Sequence, residues 1–138
     1  MIVVDACVAV KWFLPEEGSE QAMQLLAGQD ALIAPDLIRV EVAAAITRRV
    51  RTGGISEQDA KETLRLWCQS LKEGILQTHS KIEDIEEGGR LSLQLKHPLY
   101  DCVYLAVARR TASRFVTADR RFFEKALSVH PAAEMLYQ

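Results

Sequence analysis

The chain has 138 residues, with 17 Lys and Arg against 19 Asp and Glu, a formal charge of −2, and 49% apolar residues. That is one domain's length, enough to hide roughly two thirds of the unfolded surface in a core, and the composition excludes intrinsic disorder. No apolar run approaches the ~20 residues of a membrane span, and Met1-Ile2-Val3-Val4-Asp5 lacks the blocks of a signal peptide, so a single soluble, cytoplasmic domain over residues 1–138 is expected.

Ile2-Val3-Val4 is a short β-prone run, and Ala6 to Phe13 reads as a helix until Pro15 stops it. A second helix fits Ser19 to Ala27. Ala31-Leu32-Ile33-Ala34, between Gly28 and Pro35, reads as a buried strand. Asp36 to Thr52 has helical periodicity and stops at Gly53-Gly54. Ser56, with Asp59 three residues on, caps a helix that runs to about Lys72. Ile75-Leu76-Gln77-Thr78 is a third strand. Residues 81–96 are helical in composition, with Gly88-Gly89 weakening the pattern in their middle. Pro98 opens the helix Leu99 to Thr111, Arg114-Phe115-Val116-Thr117 is a fourth strand, and Asp119 to Leu127 is a last helix. Strands separated by one or two helices imply an α/β fold with a parallel sheet covered on both faces.

Cys7, Cys68 and Cys102 are odd in number and widely spaced, which fits reduced thiols better than a disulfide framework or a zinc site. The acidic total argues against a protein that grips nucleic acid by bulk charge. Eight of the 11 arginines, however, fall in two windows: Arg48, Arg49, Arg51, then Arg109, Arg110, Arg114, Arg120, Arg121. Such clusters make a phosphate-binding patch, or they sit near helix C-termini where cations suit the dipole. The acids of Glu83-Asp84-Ile85-Glu86-Glu87 read as a solvated helix face.

Four carboxylates stand in positions that invite chemistry. Glu41 has Leu37, Ile38, Ala44 and Ala45 as its helix-surface neighbours, so it needs either the edge of that apolar stripe or a cationic partner. Asp5 and Asp119 follow the first and fourth strands, and the crevice of an open parallel sheet lies outside such strand ends. Asp101 lies in the first turn of an otherwise apolar helix. Each aspartate also suits a helix start for purely structural reasons. If the four converge, like charges about 4 Å apart repel by about 4 kcal/mol per pair at an effective dielectric near 20, and the cluster takes up protons or binds a cation. Oxygen-only ligands favour Mg²⁺ or Mn²⁺.

The segments Val3-Val4-Asp5-Ala6-Cys7-Val8-Ala9-Val10-Lys11-Trp12-Phe13, Ala34-Pro35-Asp36-Leu37 with Glu41, Tyr100-Asp101-Cys102-Val103-Tyr104-Leu105-Ala106, and Val116-Thr117-Ala118-Asp119 closely resemble PIN-domain ribonucleases of the VapC toxin type. The resemblance covers nearly the whole chain. It implies a three-layer α/β/α fold with a central parallel sheet of four to five strands, and a Mg²⁺- or Mn²⁺-dependent endoribonuclease that is the toxin of a type II toxin–antitoxin pair. In that reading Asp5, Glu41, Asp101 and Asp119 are catalytic and Asp5, Asp101 and Asp119 hold the metal. Thr117 and Cys7 are accessory, and Arg48, Arg49, Arg51, Arg120 and Arg121 contact RNA. Many relatives carry serine where this chain has Cys7, and a thiol is the poorer hydrogen-bond partner. The implied partners are an RNA substrate, a small VapB-type antitoxin and a second copy of the chain. Trp12-Phe13 is a candidate docking pair, with at least one ring expected in the core.

Other readings fit less well. An aspartyl-nucleophile phosphotransferase wants a second aspartate where Cys7 stands, and a receiver domain wants a lysine where the chain has Thr117-Ala118-Asp119. No glycine-rich loop follows a strand. His79, His97 and His130 read as loop residues, His97 alone being spaced to approach substrate beside Asp101. The alternative from another class is a catalytically inactive PIN-fold module that binds RNA or protein; an intact acidic quartet argues against it. With the quartet compensated by a cation, 17 basic residues face 15 acidic ones.

Overall fold

A computed structural model describes residues 1–137 of the chain. Its elements run β1 (Ile2–Val4), α1 (Ala6–Ala9), a 3₁₀ turn (Val10–Trp12), α2 (Ser19–Ala27), β2 (Leu32–Pro35), α3 (Ile38–Arg51) and α4 (Glu57–Lys72). They continue with β3 (Gln77–His79), α5 (Ile82–Leu95), α6 (Leu99–Arg110), β4 (Arg114–Thr117), α7 (Arg120–Leu127) and β5 (Ala133–Met135). The five strands form one all-parallel sheet in the order β3-β2-β1-β4-β5, with helices on both faces.

The expected three-layer α/β/α architecture is borne out, and its centre follows from composition. Ile2, Val3 and Val4 are β-branched and buried on both faces, as a central parallel strand requires. Val3 pairs with Ile33 on one side and Phe115 on the other. The edge strands β3 and β5 have three residues each, which blunts the open edges. β5 had no sequence signal, because Ala133-Glu134-Met135 buries only Ala133. β3 begins two residues later than expected; Leu76 is buried ahead of it.

Helix α6 is apolar all round from Cys102 to Ala108, and every one of those residues is buried. It lies between the sheet and α5, whose Gly88 meets it closely: a Cβ there would stand 3.0 Å from Val103 Cγ2 and 3.2 Å from its Cα. The helix expected over residues 81–96 therefore runs unbroken through Gly88-Gly89, where it crosses α6. Ser56 caps α4 as expected, its Oγ accepting the Asp59 amide at 3.0 Å. The helix that Pro15 was expected to stop tightens earlier, at Val10.

The expectation that at least one ring of Trp12-Phe13 packs in the core holds: both pack against it, Trp12 Nε1 donating to the Ala22 carbonyl at 2.9 Å and Phe13 meeting buried Trp67 edge-on at 5.5 Å. Two other expectations about side chains change. Asp84 is buried rather than solvated, because the Arg110 guanidinium donates to both its oxygens at 2.7 and 2.9 Å. His130 is buried too, 2.7 Å from the Ser113 carbonyl.

Candidate active site

The chain moves outward from β1 through β2 to β3, then returns to β4 on the other flank of β1. The carboxyl ends of β1 and β4 therefore border the point where the strand order reverses, the usual ligand crevice of a parallel sheet. Asp5 follows β1 and Asp119 follows β4. Helices α3 and α6 bring Glu41 and Asp101 to the same place. Asp5, Glu41, Asp101 and Asp119 line one cleft of about 200 Å³, together with Ala6, Cys7, Val10, Ala45 and Arg48.

Asp5 occupies the N-cap position of α1, yet its side chain makes no capping bond. It is 4% exposed, and Oδ2 accepts the Thr117 hydroxyl at 2.8 Å. Burial pushes its carboxyl up to about 7, the neighbouring Asp101 carboxylate adds to the rise and Glu41 adds less, while the Thr117 hydrogen bond opposes it. Thr117 is fully buried and ties two aspartates together, donating to Asp5 and accepting the Asp119 amide at 3.0 Å. Cys7 Sγ accepts the Ala118 amide at 3.4 Å and lies 3.6 Å from Thr117 Oγ1. Burial and the Asp5 charge push the thiol pKa up, so Cys7 is an uncharged acceptor within this turn.

Glu41 has neither of the expected solutions. It is half-buried and its partner is a phenol: Tyr104, fully buried on α6, donates to Oε1 at 2.8 Å. Burial raises the Glu41 carboxyl above its ordinary range, Tyr104 opposes, and Asp101 adds to the rise. Asp101 pairs through Oδ2 with His97 Nε2 at 2.7 Å. Asp119 does cap α7, Oδ1 accepting the Phe122 amide at 3.2 Å; its Oδ2 has no protein partner among the described residues. The structural and chemical readings of Asp119 are thus compatible. A ring nitrogen of His97 and oxygens of Asp101 and Asp119 lie within 4.8 Å of one another.

This donor set is rich in carboxylate oxygen, and a partly desolvated group of acids with no ion-pairing cation against Asp5, Glu41 or Asp119 among the described residues favours a hard divalent ion. The family model for the PIN domain matches residues 2–127. The chain belongs to the PIN-domain family. It is 32% identical over 124 residues to ribonuclease VapC3 of Pyrobaculum aerophilum, covering 90% of this chain and 93% of that protein, so the resemblance to VapC-type members holds. The fold also matches a toxin–antitoxin complex from Klebsiella pneumoniae with a TM-score of 0.70 at 15% identity, covering 100% of this chain and 99% of that one. The crystal structure of PAE2754 from Pyrobaculum aerophilum matches with a TM-score of 0.65 at 18% identity, covering 98% and 88% of the two chains.

The arginines of this PIN domain separate into two groups. Arg48 reaches the acidic cleft. Arg49 is paired with Glu16, which Lys11 also holds at 3.0 Å. Arg109 donates to Glu87 at 2.9 Å, and Arg114 is 3.1 Å from Glu134. Arg51, Arg120 and Arg121 are exposed, and the last two begin α7 rather than end a helix. Tyr104 is a site residue outside the expected set; it stands three residues after Asp101, on the same helix face, and that spacing was the available signal.

Proposed function

We propose that this chain, read as a single PIN domain over residues 1–138, is a Mg²⁺-dependent endoribonuclease, with Mn²⁺ an alternative ion. In this reading it is the toxin of a type II toxin–antitoxin pair, acts in the cytoplasm, forms homodimers and is restrained by a VapB-type antitoxin. No helix of the described residues is long and apolar enough to cross a membrane, in keeping with that setting. The observation that carries the proposal is the meeting of Asp5, Glu41, Asp101 and Asp119 on one cleft at the switch point, in a chain related along 90% of its length to a VapC ribonuclease.

Asp5, Asp101 and Asp119 would hold the ion. When bound, the ion lowers the pKa of water and offsets charge gathering on a phosphodiester. The remaining work falls to the chain. Glu41 is half-buried and its carboxyl is a stronger base than a free one, so it accepts a proton from the attacking nucleophile, with Tyr104 fixing Oε1. Thr117 keeps Asp5 and the backbone of Asp119 in one register. Arg48, at the rim, contacts the RNA backbone; Arg51, Arg120 and Arg121 extend that basic surface, and Arg49 contributes once released from Glu16.

The decisive comparison is wild type against Asp101→Asn, expressed in a bacterial host with cellular RNA mapped for cuts, and assayed after purification with and without Mg²⁺. Cleavage should fall at least about 100-fold in the variant, the scale of a lost catalytic group. Equal cutting by both proteins, or cutting that survives chelation, would sink the proposal.

A further inference from the structure

His97 lies between α5 and α6, and its side chain is only 7% exposed. Lys96 before it takes φ 54°, a left-handed turn unusual for a residue other than glycine, and the chain doubles back there. Two hydrogen bonds tie that turn to Ser92: the His97 amide donates to the Ser92 carbonyl at 3.2 Å, and the Ser92 hydroxyl donates to the His97 carbonyl at 2.6 Å. The imidazole stacks on Phe122 with ring centroids 4.3 Å apart and planes 15° from parallel. Phe122 is itself fully buried and edge-on to Phe115 of β4. The ring therefore has little freedom to turn.

Both ring nitrogens have partners. Nε2 is 2.7 Å from Asp101 Oδ2, and Nδ1 is 3.4 Å from Lys125 Nζ, which also donates to the Lys96 carbonyl at 2.9 Å. An ammonium offers protons and no lone pair, so Nδ1 is the acceptor and the ring proton sits on Nε2, directed at Asp101.

We propose that His97 is a positioning residue: clamped by Phe122 and set in one tautomer by Lys125, it holds Asp101 Oδ2 and leaves Oδ1 to serve the cleft. The inference rests on Asp101 being a ligand of the divalent ion. A carboxylate ligand fixed by an outer hydrogen bond binds metal more tightly, and loss of such a partner costs about 10- to 100-fold in affinity. The closeness of His97 to Asp101 and Asp119 also allows the imidazole itself to be a ligand. Against that role, Nε2 is already engaged by Asp101 and Nδ1 by Lys125.

The test uses the full chain with Mn²⁺ as the probe. Nitrogen NMR of the metal-free protein should show His97 protonated on Nε2. Calorimetric Mn²⁺ affinity should fall about tenfold or more in His97→Leu. It should return to within about threefold of wild type in His97→Gln, whose amide can donate from a similar place. A proton on Nδ1, unchanged affinity in His97→Leu, or no recovery in His97→Gln would overturn the proposal. So would nitrogen hyperfine coupling from an imidazole to bound Mn²⁺, which makes His97 a ligand. Wild-type protein that takes up no Mn²⁺ removes the metal reading of the site, and the ring tautomer then still decides whether His97 donates to Asp101.

Discussion

Asp5 joins stability to chemistry in one side chain. A free aspartyl carboxyl loses its proton near pH 3.8, whereas folded Asp5 keeps it to about 7. Between those values the folded chain binds more protons than the unfolded chain, so this group's contribution is fully present below pH 3.8 and is lost as pH rises toward 7. The melting temperature of chelator-treated protein should therefore drift down across that window, and Asp5→Asn should flatten the drift. Parallel curves for the two proteins would show that some other group is responsible. Mn²⁺ reverses the logic, since a cation favours the ionised carboxylate, and affinity should climb with pH up to about 7. The residue types at this site were legible in the sequence because a carboxylate after a strand or inside an apolar stripe is conspicuous. Their partners were not: nothing in the spacing says that Glu41 meets a phenol 63 positions away.

The pairing of α5 with α6 turns on one missing methyl group. At Gly88 a Cβ would press on Val103 backbone and side-chain atoms at 3.0–3.2 Å, whereas at Gly89 it would meet nothing within 4 Å. Gly88→Ala should cost about 1–3 kcal/mol in urea unfolding through overpacking. Gly89→Ala should stabilise by up to about 1 kcal/mol through helix propensity. Equal effects at the two positions would refute a close crossing. A glycine pair inside a helical run looks like a break in one dimension, and only the position of α6 makes Gly88 a contact. The same limit hid the burial of Asp84, whose partner Arg110 lies on α6. Strong local signals, such as the Ser56 cap and the apolar run of α6, were readable because they depend on neighbours within one turn.

The molecule as a whole carries a small negative charge, yet its arginines are distributed unequally in function. Those tied to Glu87, Asp84 and Glu134 serve the fold, Arg49 is held by Glu16 beside the cleft, and Arg48 is at the cleft. In an Asp101→Asn background that leaves RNA intact, Arg48→Ala should weaken RNA binding and lower the slope of log affinity against log salt by about 0.7. Arg109→Ala should leave both unchanged. The reverse pattern would move the RNA surface to the other side of the protein. The α/β class was legible because alternating strands and helices permit few arrangements, but the order β3-β2-β1-β4-β5 decides which carboxylates meet, and no local pattern encodes that order. The first strand stands at the centre, so the Thr117–Asp5 bond spans 112 positions. For a chain emerging from a ribosome this acts as a timer. At about 5–20 residues per second, Asp5 waits roughly 6 to 22 s for the hydroxyl that holds it. A nascent chain that has reached only β3 has neither Asp101 nor Asp119, so under the proposed function it would be unable to cut the message from which it is being translated.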